Sequence, residues 1–246
     1  MIRVLEDLPA LAEAAAEEIA RRAEDAIASR GRFTIALSGG STPKPAYARL
    51  AEDPYRDRID WKRAHVFWGD DRHVAPDHPD SNFGMAHDAL LSKVPLPPDN
   101  IHRMRAEKPD AARAAEEYAW TLRSAFNLDE GQWPRFDVVL MGIGEDAHTA
   151  SLFPGSDAVR ERSQLVIAPW VGSLGTWRIT LTLPVFNHAA CALVLVSGGE
   201  KAEALRNVLE GDLQPDRFPA QAVRPESGDL VWLVDRAAAR LLKSVS

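Results

Sequence analysis

At 246 residues, 46% hydrophobic and 26% charged, the chain has the composition of a globular protein and enough length to bury a large core, in one big domain or two small ones. Its formal charge of −7, with no dense Lys/Arg block, sets a field that repels nucleic-acid backbones and anionic membranes, so any anionic ligand needs a local site. No apolar run approaches a membrane span, and the acidic N-terminus does not resemble a signal peptide, which predicts a cytoplasmic protein with no membrane partner. In chain order, a short strand at 2–5 leads into a helix over 8–29, whose apolar positions Leu11, Ala15, Ile19, Ala23 and Ile27 recur every four residues before Gly31 stops it. A strand at 33–37 runs into SGGSTP, where Ser41 or Thr42 is placed to cap a new helix and Pro43 suits its first turn. The next strand, 64–69, ends in Asp70-Asp71-Arg72-His73, because acidic residues mark the exit from so apolar a strand. A helix over 81–91, a short strand near 101–104 and a helix over 109–126 follow.

The run 137–154, DVVLMGIGEDAHTASLFP, opens as a strand buried on both faces and then sets two glycines, two carboxylates and a histidine at its carboxyl end. Open α/β sheets place their ligands there. Strands at 164–169, 177–183, 192–196 and 230–234 complete the series, with the turn SGGEK and a helix after the third of these and a helix over 236–243 at the end. Strands alternating with helices predict an α/β fold, a mainly parallel sheet with helices on both faces, in a single domain spanning 1–246.

Several local patterns admit more than one reading. The two glycines and fresh helix N-terminus of SGGSTP make either an anion site or an ordinary βα turn, without the spacing of a P-loop. Residues 142–147 match the dinucleotide pattern G-x-G-x-x-[GA], but Glu145 and Asp146 would set two negative charges beside a pyrophosphate, and the next strand lacks a ribose-binding acid. His65, His73, His78 and His87 have no metal-ligand spacing, so no metal is predicted. The lone Cys191, in CALVLVSGG, is expected to be a small buried hydrophobe.

Taken together, SGGSTP, FWGDDRHV with DSN at 80–82, GIGEDAHTASLFPGS, WRITLT and SGGEKAEAL resemble the 6-phosphogluconolactonase family in matching order over roughly residues 33–235. The HTASLFP block is the most specific part. That family shares a Rossmann-like fold with glucosamine-6-phosphate deaminase. The resemblance implies hydrolysis of 6-phospho-D-glucono-1,5-lactone to 6-phosphogluconate, a step of the pentose phosphate pathway, with no cofactor and a small-molecule sugar-phosphate lactone as substrate. It makes His148 the catalytic histidine, with Asp70, Arg72 and Lys201 in the site.

Elementary chemistry agrees. Water attacking a lactone carbonyl needs a base that titrates near neutrality, as histidine does, and Asp146 is placed to orient the imidazole. Gly39, Gly40, Ser41 and Thr42 would hold the phosphate with charge from Lys201 and Arg178. Arg178, on the polar face of a strand, needs an anionic partner, either the substrate or an internal carboxylate. Arg72 either clamps the phosphate or fixes Asp70 and polarises the lactone. Two positions depart from the family pattern: Asp71 stands where Glu is usual, and Ala147 where Gly is usual, with negative φ expected at Ala147 because its neighbours must both face the pocket. Two alternatives are a glucosamine-6-phosphate deaminase, which needs a proton-transferring Glu in the run where this chain has Leu152-Phe153-Pro154, and a non-catalytic sugar-phosphate sensor.

Overall fold

A computed structural model describes residues 1–243. Its strands are β1 (Ile2–Leu5), β2 (Phe33–Leu37), β3 (Ala64–Trp68), β4 (Asp70–Arg72), β5 (Val138–Gly142), β6 (Val166–Ile167), β7 (Trp170–Val171), β8 (Thr176–Leu181), β9 (Cys191–Val196) and β10 (Asp229–Asp235). The helices are α1 (Leu8–Arg30), α2 (Pro43–Leu50), α3 (Tyr55–Arg58), α4 (Asn82–Ala89), α5 (Ala111–Phe126), α6 (Leu183–Asn187), α7 (Ala202–Glu210) and α8 (Arg236–Ala239). Six strands form an all-parallel sheet in the order β1-β10-β9-β5-β2-β3. Every residue of β2 and β9 is buried, so the sheet is covered on both faces, which is why β9 is an unbroken apolar run and β2 is apolar but for Thr34, whose hydroxyl bonds Asp137.

Local chemistry explains the long helices. The Asp7 carboxylate accepts the Ala10 N–H at the start of α1, Pro9 takes a first-turn position, and Gly31 at φ 76 closes the end by donating to the Ile27 carbonyl. Leu11, Ala15, Ile19 and Ala23 form its buried face as the four-residue spacing requires, and Ile27 is partly buried. Asp110 caps α5 through the Ala112 and Arg113 N–H groups, and Asn127 ends it at φ 50.

Differences from expectation lie at the edges. Residues 101–104 form no strand beyond a single bridge between Ile101 and Val66. The last helix stops at Ala239 and the 164–169 strand shrinks to two residues. Asp70–Arg72 leaves the central sheet as predicted but becomes a strand itself, β4, in a small antiparallel sheet ordered β4-β8-β6, with β7 also paired to β8. Arg178 therefore stands in this second sheet rather than the parallel one.

The topology reverses beside β2. The chain runs outward from β2 to β3, then returns to lay β5 on the other side of β2 and continues outward through β9. Parallel sheets bind ligands beyond the carboxyl ends at such a switch point. Here the four adjacent strands β9, β5, β2 and β3 end in SGGEK, GIGEDAH, SGGSTP and GDDR, so residues as far apart in the chain as Gly39 and Lys201 meet along one edge.

Candidate active site

These four turns line a cleft of about 270 Å³ that contains Gly39, Gly40, Ser41, Thr42, Asp70, Arg72, His148 and Lys201. Asn82, Ile143, Leu195 and Ser197 are also among its walls. Asp146 stands behind His148, and Arg178 lies beside Arg72 without lining the cleft.

The glycine loop after β2 is pinned at its start. The Tyr47 hydroxyl donates to the Ser38 carbonyl at 2.7 Å and accepts the Ser38 N–H at 3.0 Å. Gly40 holds φ 103, where a side chain would be strained. Neither expected cap forms: Thr42 already has helical φ and ψ, and the Ser41 and Thr42 hydroxyls are bound to no protein group among the described residues. Both hydroxyls are therefore free for an anion, while in the first turn of α2 only Lys44 carries an N–H, since Pro43 and Pro45 have none.

The turn after β5 carries no helix, so the dinucleotide pattern at 142–147 has no helix N-terminus to offer. It folds back on itself instead, with Gly144 N–H bonded to the His148 carbonyl at 2.8 Å and Ala147 N–H to the Gly144 carbonyl at 3.1 Å. His148 Nδ1 lies 2.6 Å from Asp146 Oδ1, which also accepts the His148 N–H at 3.1 Å. An ionised carboxylate only accepts, so the ring proton sits on Nδ1 and Nε2 keeps a free lone pair. Burial raises the Asp146 carboxyl, and the bonds from His148 outweigh it, so it titrates below the usual carboxylate range. One face of the imidazole stacks on Phe153 with centroids 4.3 Å apart. Gly144 crowds the same ring so closely that a Cβ there would lie 2.1 Å from Nδ1. Ala147 is fully buried at φ 63, contrary to the expected negative φ. Its carbonyl accepts the Ala220 N–H at 3.1 Å, and folding the turn back brings Asp146 under His148 only if the residue between them turns left-handed.

The two acids after β3 divide their work. Asp70 faces the cleft, its Oδ2 accepting the Ser151 hydroxyl at 2.7 Å and its Oδ1 the Asn82 amide at 3.3 Å. Asp71 points away and accepts the N–H groups of Arg72, Asn82 and Phe83, anchoring the start of α4. Burial pushes its carboxyl up to about 6 despite those bonds. The Arg72 guanidinium bonds the Asp80 carbonyl at 2.6 Å and makes no bond to Asp70, which removes the reading in which Arg72 fixes that carboxylate. Arg178 faces Arg72 across the β4–β8 pair, and its guanidinium has neither hydrogen bond nor ion pair among the described residues. Burial, then the like charge of Arg72, hold it below the ordinary arginine range. Asp70, Asp80 and Asp71 lie near enough to attract it by charge, but none pairs with it directly among the described residues, so two half-buried cations side by side can still take up an anion.

On the other side, Lys201 Nζ makes a loose contact with the exposed Glu145 at 3.9 Å. Its turn hangs on Asp235, a buried acid at the end of β10 that accepts the Ser197 hydroxyl and the Gly198 and Ala238 N–H groups. Nothing in the local sequence tied Asp235 to the Lys201 turn, because its partners there, Ser197 and Gly198, lie 38 and 37 residues upstream. Cys191 is fully buried and its thiol is pushed up to about 12, as suits a core residue. The histidines of the 65–87 region disperse: His65 stacks on His102, and His73 contacts the Lys108 carbonyl.

Comparison with known proteins gives one consistent result. A family model described as glucosamine-6-phosphate isomerases/6-phosphogluconolactonase matches residues 6–232. The chain is 42% identical to a 6-phosphogluconolactonase of Nostoc sp. over 96% of both chains. It is 41% identical to one of Synechocystis sp. over 98% of both. The solved 6-phosphogluconolactonase of Trypanosoma brucei superposes with a TM-score of 0.87 at 31% identity, covering 98% of each chain. A monomeric glucosamine-6-phosphate deaminase shares the fold, with a TM-score of 0.81 at 22% identity over 98% of this chain and 99% of that one.

Proposed function

The chain belongs to the glucosamine-6-phosphate isomerase/6-phosphogluconolactonase family, and from that premise we propose that it hydrolyses 6-phospho-D-glucono-1,5-lactone to 6-phosphogluconate. The observation that carries the reading is the His148–Asp146 pair, with Nε2 free, in the same cleft as the glycine loop and Lys201. His148 Nε2 takes a proton from water as the oxygen attacks the lactone carbonyl. Asp146 holds the imidazole and stabilises the imidazolium. The tetrahedral intermediate collapses by breaking the bond to the ring oxygen, which receives the proton from His148. Asp70, an acceptor-only group on the cleft wall, holds the second hydrogen of the attacking water. The phosphate rests against the Gly39 to Thr42 loop and draws on Lys201, Arg178 and Arg72 for charge.

The deaminase alternative lacks its proton carrier. An enzyme that opens a sugar ring and moves a proton between carbons needs an acid–base group beside the histidine, and Phe153 covers the ring there instead. Catalysis by His148 also separates this chain from a sensor that would only bind. The reading places the protein as a single lactonase unit in the cytoplasm, and it names no nucleic-acid or membrane partner; no helix among the described residues is long and apolar enough to cross a membrane. A paired assay tests it: acid release from freshly generated 6-phosphogluconolactone, corrected for spontaneous hydrolysis, beside ammonia release from glucosamine 6-phosphate. Acceleration of the first alone is expected. Ammonia release without lactone hydrolysis would overturn the proposal.

A further inference from the structure

We infer that Asn82 is a positioning residue that, together with Ser151, sets the orientation of the Asp70 carboxylate in the cleft. Asn82 opens α4 and is 2% exposed, with its backbone N–H fixed on Asp71 Oδ1 at 2.7 Å. Its Nδ2 lies 2.8 Å from the Asp70 carbonyl and 3.3 Å from Asp70 Oδ1. Both are acceptors, so the nitrogen end of the amide must face Asp70; a flipped amide would set three oxygens together. The other end goes without. Asn82 Oδ1 is buried and has no donor among the described residues. It lies where the side chain of residue 39 would be: a Cβ on Gly39 would fall 1.6 Å from it.

A buried amide with an unmet acceptor is costly, and such a group calls for a reason. Service to Asp70 supplies one. The second donor comes from the opposite side, where Ser151, 1% exposed on the His148 turn, bonds Asp70 Oδ2 at 2.7 Å. One donor on each carboxylate oxygen, from two different elements, stops the group rotating either way and leaves its remaining lone pairs for the cleft. Asn82 thus ties three motifs together: it packs on the glycine loop, it starts α4, and it bonds the acid that Ser151 holds from the histidine turn. Gly39 lacks a side chain for this contact, its φ lying outside the left-handed region.

The inference rests on the lactonase reading, since Asp70 is given its task in that reaction. Asn82→Asp keeps the shape against Gly39 and removes the donor, while Asn82→Ala removes both. Each is expected to lower kcat on 6-phosphogluconolactone roughly ten- to a hundredfold with KM changed by less than about twofold. In an Asp70→Asn background the same changes should cost no more than about twofold further, because a residue acting through Asp70 falls silent once the carboxylate is gone. Should Asn82→Ala fail to fold, Ser151→Ala is expected to give the same split and the same silence. An Asn82→Asp enzyme that melts like the wild type and keeps full kcat, or an equal loss in the Asp70→Asn background, would overturn the inference. A wild-type enzyme that leaves the lactone untouched would instead overturn the proposed function, and this inference with it.

Discussion

Gly144→Ala puts the histidine turn under a graded test. Gly144 is outside the left-handed region, so alanine meets no backbone penalty there. The added Cβ would lie 2.1 Å from His148 Nδ1, 2.3 Å from His148 Cε1 and 2.5 Å from Asp146 Oδ1. Ordinary contact begins near 3.4 Å, so the imidazole must retreat by 3.4 − 2.1 = 1.3 Å. Phe153 blocks one direction of retreat, being stacked on the ring. A misplacement of roughly 1 Å at a reacting group costs about 10²-fold in rate, equivalent to about 2.7 kcal/mol of activation free energy. The groups displaced are partly exposed, which keeps the cost to folding small. The assay is the initial rate of acid release from fresh lactone, less the spontaneous rate, with a melting curve on the same preparation. The expected result is kcat lowered about a hundredfold in a protein that still melts cooperatively. A folded variant with kcat within about twofold of wild type would show that the close seating of His148 against Gly144 is not part of the mechanism.

Replacing Lys201 or Arg178 by Ala removes a charge-assisted contact of ~1.5–3 kcal/mol and should lower kcat/KM by about tenfold or more; unphosphorylated glucono-1,5-lactone should show little of the loss, and equal losses on both substrates would make these residues structural. Ala147→Gly relieves ~1–2 kcal/mol of left-handed strain against ~0.4–1 kcal/mol of unfolded-chain freedom and ~0.8 kcal/mol for a buried methyl. The melting temperature should therefore stay within about 4 °C of wild type; a larger fall would mean that residue 147 is not left-handed in solution. Asp71, raised from 3.8 to about 6 by burial, binds its proton more tightly when folded. Its contribution is full below pH 4 and lost as pH rises through 6, by about 3 kcal/mol on an order-of-magnitude scale. Urea unfolding of wild type and Asp71→Asn at pH 4 and pH 7 checks this: the difference in stability between the two proteins should change with pH in that direction, and a constant difference would contradict it.

The central sheet was legible because buried parallel strands are mostly apolar, and β2, β3, β5, β9 and β10 are, interrupted only by Thr34 in β2, His65 in β3 and the terminal aspartates of β10. The turns that carry Gly39, Asp70, His148 and Lys201 were legible as the carboxyl ends of strands, whereas the roles expected of Asp70, His148 and Lys201 came from the family resemblance. Pairings across the small sheet were not legible. β4 has three residues and alternates nothing, so only its partner β8 defines it, and the meeting of Arg72 with Arg178 appears only with that register. Ala147 was misread because its left-handed turn is imposed by the bonds that fold Gly144 back onto His148, which leave no trace in composition. Asn82 and Ser151 stood inside recognised motifs, yet their bonds to Asp70 span 12 and 81 residues.

His148→Ala tests the account's central claim most directly. The purified variant should melt as the wild type does and lose roughly two to four orders of magnitude in kcat on 6-phosphogluconolactone, the scale of removing an acid–base group. A folded His148→Ala protein that hydrolyses the lactone at the wild-type rate would remove this histidine from the reaction and contradict the mechanism proposed for the cleft.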